Sequence, residues 1–165
     1  MKLIIFLCFF LVFSPSVISQ NSIDTGSQAP RFFGSTTEDS FFYAPSVFGS
    51  QPIVLSFFAT YCEPCVYEMP ALYSLITENY SEAYLLYIGT DPGGSVQEVA
   101  DFAREAGITE NVLFDTGNRI MNMYGIQSFP STVIINTDGT IAHIHSGYSQ
   151  EGMREIEAVL EEVCR

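Results

Sequence analysis

The feature that most limits what this chain can become is a pair of cysteines two residues apart, where an apolar run gives way to a helical one. Tyr61-Cys62-Glu63-Pro64-Cys65 follows Ile53-Val54-Leu55-Ser56-Phe57-Phe58, a β-branched and aromatic segment that predicts a buried strand. Beyond the pair, Met69, Leu72, Leu75 and Ile76 recur at helical spacing. A helix N-terminus carries partial positive charge and unpaired N–H groups, both of which favour a thiolate over a thiol. A two-residue spacer lets the second sulfur reach the first, so a mixed disulfide can be resolved within the chain. The arrangement predicts a dithiol–disulfide exchange site. Two other uses of these residues stay open: a static disulfide, which at this length constrains little of the unfolded chain, and half of a zinc site, for which the sequence offers no second Cys-x-x-Cys or Cys/His cluster.

Lys2 is followed by the apolar stretch Leu3–Phe13, then Ser14-Pro15 and small residues up to Ser19. Residues 1–19 therefore read as a secretory signal and 20–165 as one domain. The apolar stretch falls short of the ~20 residues that span a bilayer, so cleavage is expected over retention as a membrane anchor. The expected location is exported, periplasmic or otherwise extracytoplasmic. Cys8 would leave with the signal. Cys62, Cys65 and Cys164 remain, and Cys164, the penultimate residue, is expected to be a free thiol. With 19 acids against 6 bases the formal net charge is −13. Such a surface repels phosphate backbones and disfavours nucleic acid and anionic lipid as partners.

Along the chain, Phe32-Phe33 and Phe41-Phe42-Tyr43 flank turn-forming residues and predict an N-terminal hairpin. Pro70 lies within the helix after the cysteines and is expected to kink it. Ala83–Ile88 is a second buried strand, closed by Gly89 and Asp91-Pro92-Gly93-Gly94. Ser95-Val96-Gln97-Glu98 is a capping box; Val99, Phe102, Ala103 and Ala106 give one helical face, with Gly107 placed to end it. A short strand over Asn111–Phe114 and a brief helix near Arg119–Tyr124 follow. Asp138-Gly139 between Ser131–Asn136 and Ile141–His145 predicts another hairpin. The last helix, from about Gln150, turns Met153, Ile156, Leu160 and Val163 inward and Glu151, Glu155, Glu161 and Glu162 outward. The pattern is α/β: a mixed sheet covered by helices. His143 and His145 alternate onto one face of a strand. Without a third ligand they read as surface residues, and neither a metal nor another cofactor is expected.

From Ala29 to Cys164 the chain resembles the thioredoxin superfamily, in its exported TlpA/ResA-like branch. The matching residues are Cys62-Glu63-Pro64-Cys65, Glu68-Met69-Pro70, Phe129-Pro130-Ser131-Thr132, and Asp138-Gly139 leading to Gly147. The resemblance implies a thioredoxin-like fold, with Ser95–Phe114 as the βα-type insert of this branch, and a cis bond at Pro130 beside the dithiol. It departs from the family at Tyr61, where Trp is usual, and at Ser56, where thioredoxin has a buried Asp. Exported members often carry an acid in the place of Glu68 instead. The activity implied is protein thiol–disulfide exchange, often as a reductant, for example of apocytochrome c before haem attachment, and the chain is expected to work as a monomer. Such a role requires an electron donor at the membrane.

In this reading Cys62, at the exposed end of the motif, attacks the substrate and Cys65 resolves the mixed disulfide. Glu63 places negative charge beside the thiolate, opposing the helix terminus, and Pro64 limits the loop. Glu68, three residues after Cys65, lies on the same helical side and could exchange a proton with it. Tyr61 supplies an aromatic wall, and a cis Phe129–Pro130 bond would let the Phe129 backbone pair with an extended substrate. A thiol-based metal carrier is an alternative from another class. A thiol peroxidase is a further one, disfavoured because Ala59 stands three residues before Cys62 where that reading needs Thr or Ser.

Overall fold

The structure, a computed structural model, describes residues 23–109 and 111–165. The signal reading falls on residues 1–19 and lies outside the described residues. Among the described residues no helix is long and apolar enough to cross a membrane.

Among the described residues seven strands and four α-helices follow in the order β1 (Phe33–Ser35), β2 (Phe41–Tyr43), β3 (Ile53–Phe58), α1 (Cys65–Asn79), β4 (Tyr84–Gly89), α2 (Val96–Glu105), β5 (Val112–Phe114), α3 (Arg119–Met123), β6 (Ser131–Ile135), β7 (Ile141–Ser146) and α4 (Gln150–Val163). The main sheet runs β5-β4-β3-β6-β7, with β3, β4 and β5 parallel and β6 and β7 antiparallel to their neighbours. β3 lies at the centre and is buried along its whole length, as a strand without polar alternation must be. Its side chains alternate between two cores. Val54 and Phe58 meet α1, α2 and α4 on one face; Ile53, Leu55 and Phe57 meet the β1–β2 hairpin and α3 on the other. Ser56 falls on the α1 side of that alternation, with no hydrogen-bond partner for its buried Oγ.

The segment before β2 shields both ends of the sheet. Residues 26–29 pair with 139–141 at the start of β7, and Thr36 and Thr37 bridge to β5. Exposed N–H and C=O groups on edge strands are thereby covered, which suppresses pairing with other chains. The expected hairpin is present, pairing Phe33–Ser35 with Phe41–Tyr43, and the Phe32 carbonyl accepts from the Ala44 N–H beside it. Pro70 sits inside α1, which runs on to Asn79.

Local signals explain the helix ends. Ser95 Oγ accepts from the Glu98 N–H while the Glu98 carboxylate accepts from the Ser95 N–H, completing the capping box of α2. Close packing of α2 on the sheet depends on Gly89 at the end of β4. A Cβ there would lie 2.3 Å from Val99 Cγ1 and 3.0 Å from Phe58 Cζ. Gly89→Ala is expected to destabilise the fold by about 1–3 kcal/mol through overpacking. Urea unfolding measures it, and a change within ±0.5 kcal/mol would mean that α2 shifts freely.

Candidate active site

β3 ends at Phe58 and the chain turns through Ala59–Pro64 before α1 begins at Cys65. The Cys62 N–H donates to the Ala59 carbonyl, and the Cys65 N–H to the Cys62 carbonyl, which fold the motif into consecutive turns. The Asp91 carboxylate, buried after β4, accepts from the Thr60 N–H at 3.1 Å and ties this turn to the next strand. Cys62 thus precedes the helix rather than opening it, with the helix N-terminus directed at its carbonyl turn. The two cysteines form a disulfide, with Cα atoms 5.4 Å apart.

Exposure separates the two sulfur-bearing residues. Cys65 is wholly buried, whereas Cys62 keeps 6 % of its surface. The expectation of an exposed Cys62 is corrected in degree: it is a nearly buried residue, because it joins the hydrophobic cluster that holds Cys65, while its neighbours Tyr61, Glu63 and Pro64 are exposed.

The remaining predicted residues converge on the motif. The Phe129–Pro130 peptide bond is cis. Phe129 is half-buried and meets the ring of Tyr61 edge to face at 6.3 Å, so the motif turn and the proline loop are in contact. The Pro130 carbonyl accepts from the Gly147 N–H at 2.8 Å, which anchors the loop to the end of β7. Glu68 is 1 % exposed. Thr132 Oγ1 donates to its Oε1 at 2.8 Å, while Oε2 is buried without a partner. Desolvation pushes the Glu68 carboxyl up to about 7, opposed by the Thr132 hydrogen bond. Tyr87 lies close by, its hydroxyl donating to the Met69 carbonyl, and burial followed by the Glu68 charge pushes that phenol up.

Three residues escaped the sequence reading. Val66, Tyr67 and Tyr148 are exposed, and Tyr67 stacks on Tyr148 at 6.3 Å. With Tyr61 they leave an apolar rim on the motif side of the molecule. The signal was available for Tyr67, an aromatic residue on the helical face opposite to the inward Met69 and Leu72, whereas Val66 stands three residues before Met69 on the same side. Cys164 is a half-buried free thiol at the end of α4, its pKa raised by burial and then by Glu82.

Thioredoxin-like thiol–disulfide oxidoreductases carry a dithiol where the central strand of such a sheet ends, with a cis-proline loop against it, and this chain is of that class. It belongs to the AhpC/TSA family, which matches residues 25–144. The thiol-disulfide oxidoreductase ResA of Halalkalibacterium halodurans is 33% identical over 62% of this chain and 58% of that protein. ResA of Bacillus subtilis is 25% identical over 87% of this chain and 79% of its own length. A secreted disulfide oxidoreductase of Mycobacterium tuberculosis shares the fold, with a TM-score of 0.68 and 23% identity over 79% of this chain and 95% of that one.

Proposed function

We propose that the protein acts outside the cytoplasm as a reductant of protein disulfides, with Cys62 as nucleophile, Cys65 as resolving thiol and Glu68 as its proton acceptor. The difference in exposure between the two cysteines is the observation that carries this reading. In the reduced state the Cys62 thiolate attacks one sulfur of a substrate disulfide and the other substrate sulfur leaves as thiolate. Cys65, giving its proton to Glu68, then attacks Cys62 Sγ. The substrate departs as a dithiol, two electrons richer, and this chain, two electrons poorer, is left with the Cys62–Cys65 disulfide. A burial that pushes Glu68 to about 7 makes it a base matched to that transfer near neutral pH. The exposed rings of Tyr61 and Tyr67 offer apolar contact to an incoming chain. Regeneration requires a dithiol donor, which at an exported location would sit at the membrane, and an apocytochrome c awaiting haem is the substrate class the resemblance suggests.

Cys65→Ser tests the assignment. Without a resolving thiol, Cys62 is expected to hold substrates as mixed disulfides that dithiothreitol releases. Capture of a haem-binding apoprotein supports the narrow role, and capture of many unrelated proteins supports general exchange. If nothing is captured on Cys62 from the native compartment, the proposal is wrong.

A further inference from the structure

We propose that His143, His145 and Glu155 form a binding site for a first-row divalent metal ion of the zinc type, separate from the cysteines. The two histidines lie on one face of the edge strand β7, their rings 6.2 Å apart and nearly parallel. Glu155 comes from α4, which packs against that strand. One nitrogen from each ring and one carboxylate oxygen lie within 4.8 Å of one another. The third ligand that the sequence did not reveal is therefore supplied by the helix.

Three details indicate that the site is built rather than coincidental. His145 Nδ1 and Glu155 Oε2 are 3.4 Å apart. Bonds of about 2.0–2.1 Å at a tetrahedral angle place two ligand atoms about 3.3 Å apart, so these two already sit at the edge length of a zinc tetrahedron. Gly152, within α4, provides room for the His145 ring: a Cβ there would lie 2.2 Å from His145 Nε2. Nε2 is thus directed at the helix backbone, which leaves Nδ1 for Glu155 or for an ion. Finally, His143 Nε2 is buried and has no hydrogen-bond partner. A buried polar atom left unpaired is unusual in a folded protein, and the histidine–glutamate pair alone does not satisfy it. Bringing a His143 nitrogen to tetrahedral distance requires a shift of at most about 1.5 Å.

Two imidazole nitrogens and one carboxylate oxygen form a borderline donor set that suits zinc, copper(II) or nickel(II) over calcium or magnesium. The chain's net charge of −13 draws cations towards it. A bound ion would fasten the last helix to the edge strand. The Glu155 side chain is 52% exposed, which leaves a way in for the ion and for a water as fourth ligand.

The test uses the full chain with Cys8→Ser and Cys164→Ser, oxidised so that no thiolate competes, stripped with chelator and titrated with Zn2+ by calorimetry. One saturable ion per chain is expected, at a Kd of about 10 μM or tighter. Glu155→Gln is expected to weaken binding by about tenfold or more, and His143→Gln with His145→Gln to abolish it. Co2+ absorption of a tetrahedral site and a Zn2+-dependent rise in Tm, present in the parent and lost in Glu155→Gln, provide readouts that tolerate a poorly folding histidine variant. Absence of saturable binding below about 100 μM, or binding indifferent to all three substitutions, would show that the cluster is only a histidine–carboxylate contact and overturn the proposal.

Discussion

Cys62→Ser will lower protein disulfide exchange by at least about a thousandfold, as removal of an enzyme's nucleophile does. A serine hydroxyl is not ionised at neutral pH and cannot form the mixed disulfide through which exchange proceeds. Among the described residues neither other cysteine can stand in. Cys65 is wholly buried behind Cys62, and Cys164 sits at the far end of α4 with its thiol pKa raised by burial. Loss of stability can be separated from loss of chemistry with Cys65→Ser as the control. Either substitution removes the same disulfide, whose short loop is worth about 2 kcal/mol on the chain-entropy account, so the two variants should unfold at similar urea concentrations. Only Cys65→Ser should form mixed disulfides. Exchange surviving in Cys62→Ser would transfer the nucleophile's role to another cysteine and undo the proposed order of attack.

The second large effect concerns Glu68. Its folded-state pKa of about 7 lies above the ordinary 4.5, and desolvation is the main cause. Between those values the folded chain holds a proton that the unfolded chain has released. Stability from this group is therefore complete below pH 4.5 and declines as pH rises through about 7. At 1.36 kcal/mol per unit the decline amounts to about 3 kcal/mol. Glu68→Gln should remove it, since a glutamine carbonyl still accepts from Thr132 and carries no charge to desolvate. Urea midpoints of the two oxidised proteins from pH 4.5 to 8 measure the effect: the parent curve should slope down and the variant curve lie flatter and higher above pH 7. The same substitution should slow resolution by Cys65 about a hundredfold near pH 7.5, the usual scale of general-base catalysis. Parallel stability curves would mean that the carboxyl is not held protonated, and an unchanged resolution rate would exclude Glu68 from the proton transfer.

Much of this was legible along the chain, and unevenly so. The capping box at Ser95–Glu98, the Asp138-Gly139 hairpin and the uniformly apolar β3 could be read because each depends on residues a few positions apart. Glu68 could be placed beside Cys65 by helical spacing alone. Its partner Thr132 lies 64 residues further on and is reached only across the sheet. The histidines of β7 looked like surface residues because their neighbour Glu155 belongs to a helix face that reads as solvent-directed. Cys62 was expected to be open and is almost closed, since the turn packs it into the hydrophobic cluster around Cys65, a turn whose shape the residue pattern does not specify.

By itself the sequence determined the dithiol, the strand that delivers it, the helix behind it and the order of elements, because periodicity and short-range hydrogen bonds are properties of neighbouring residues. Only the tertiary structure decided which carboxyl is kept out of water, which cysteine retains an edge in solvent and which glutamate meets the two imidazoles. Those outcomes rest on desolvation and on contacts between segments distant in the chain, and both arise only when the sheet and its helices close on one another.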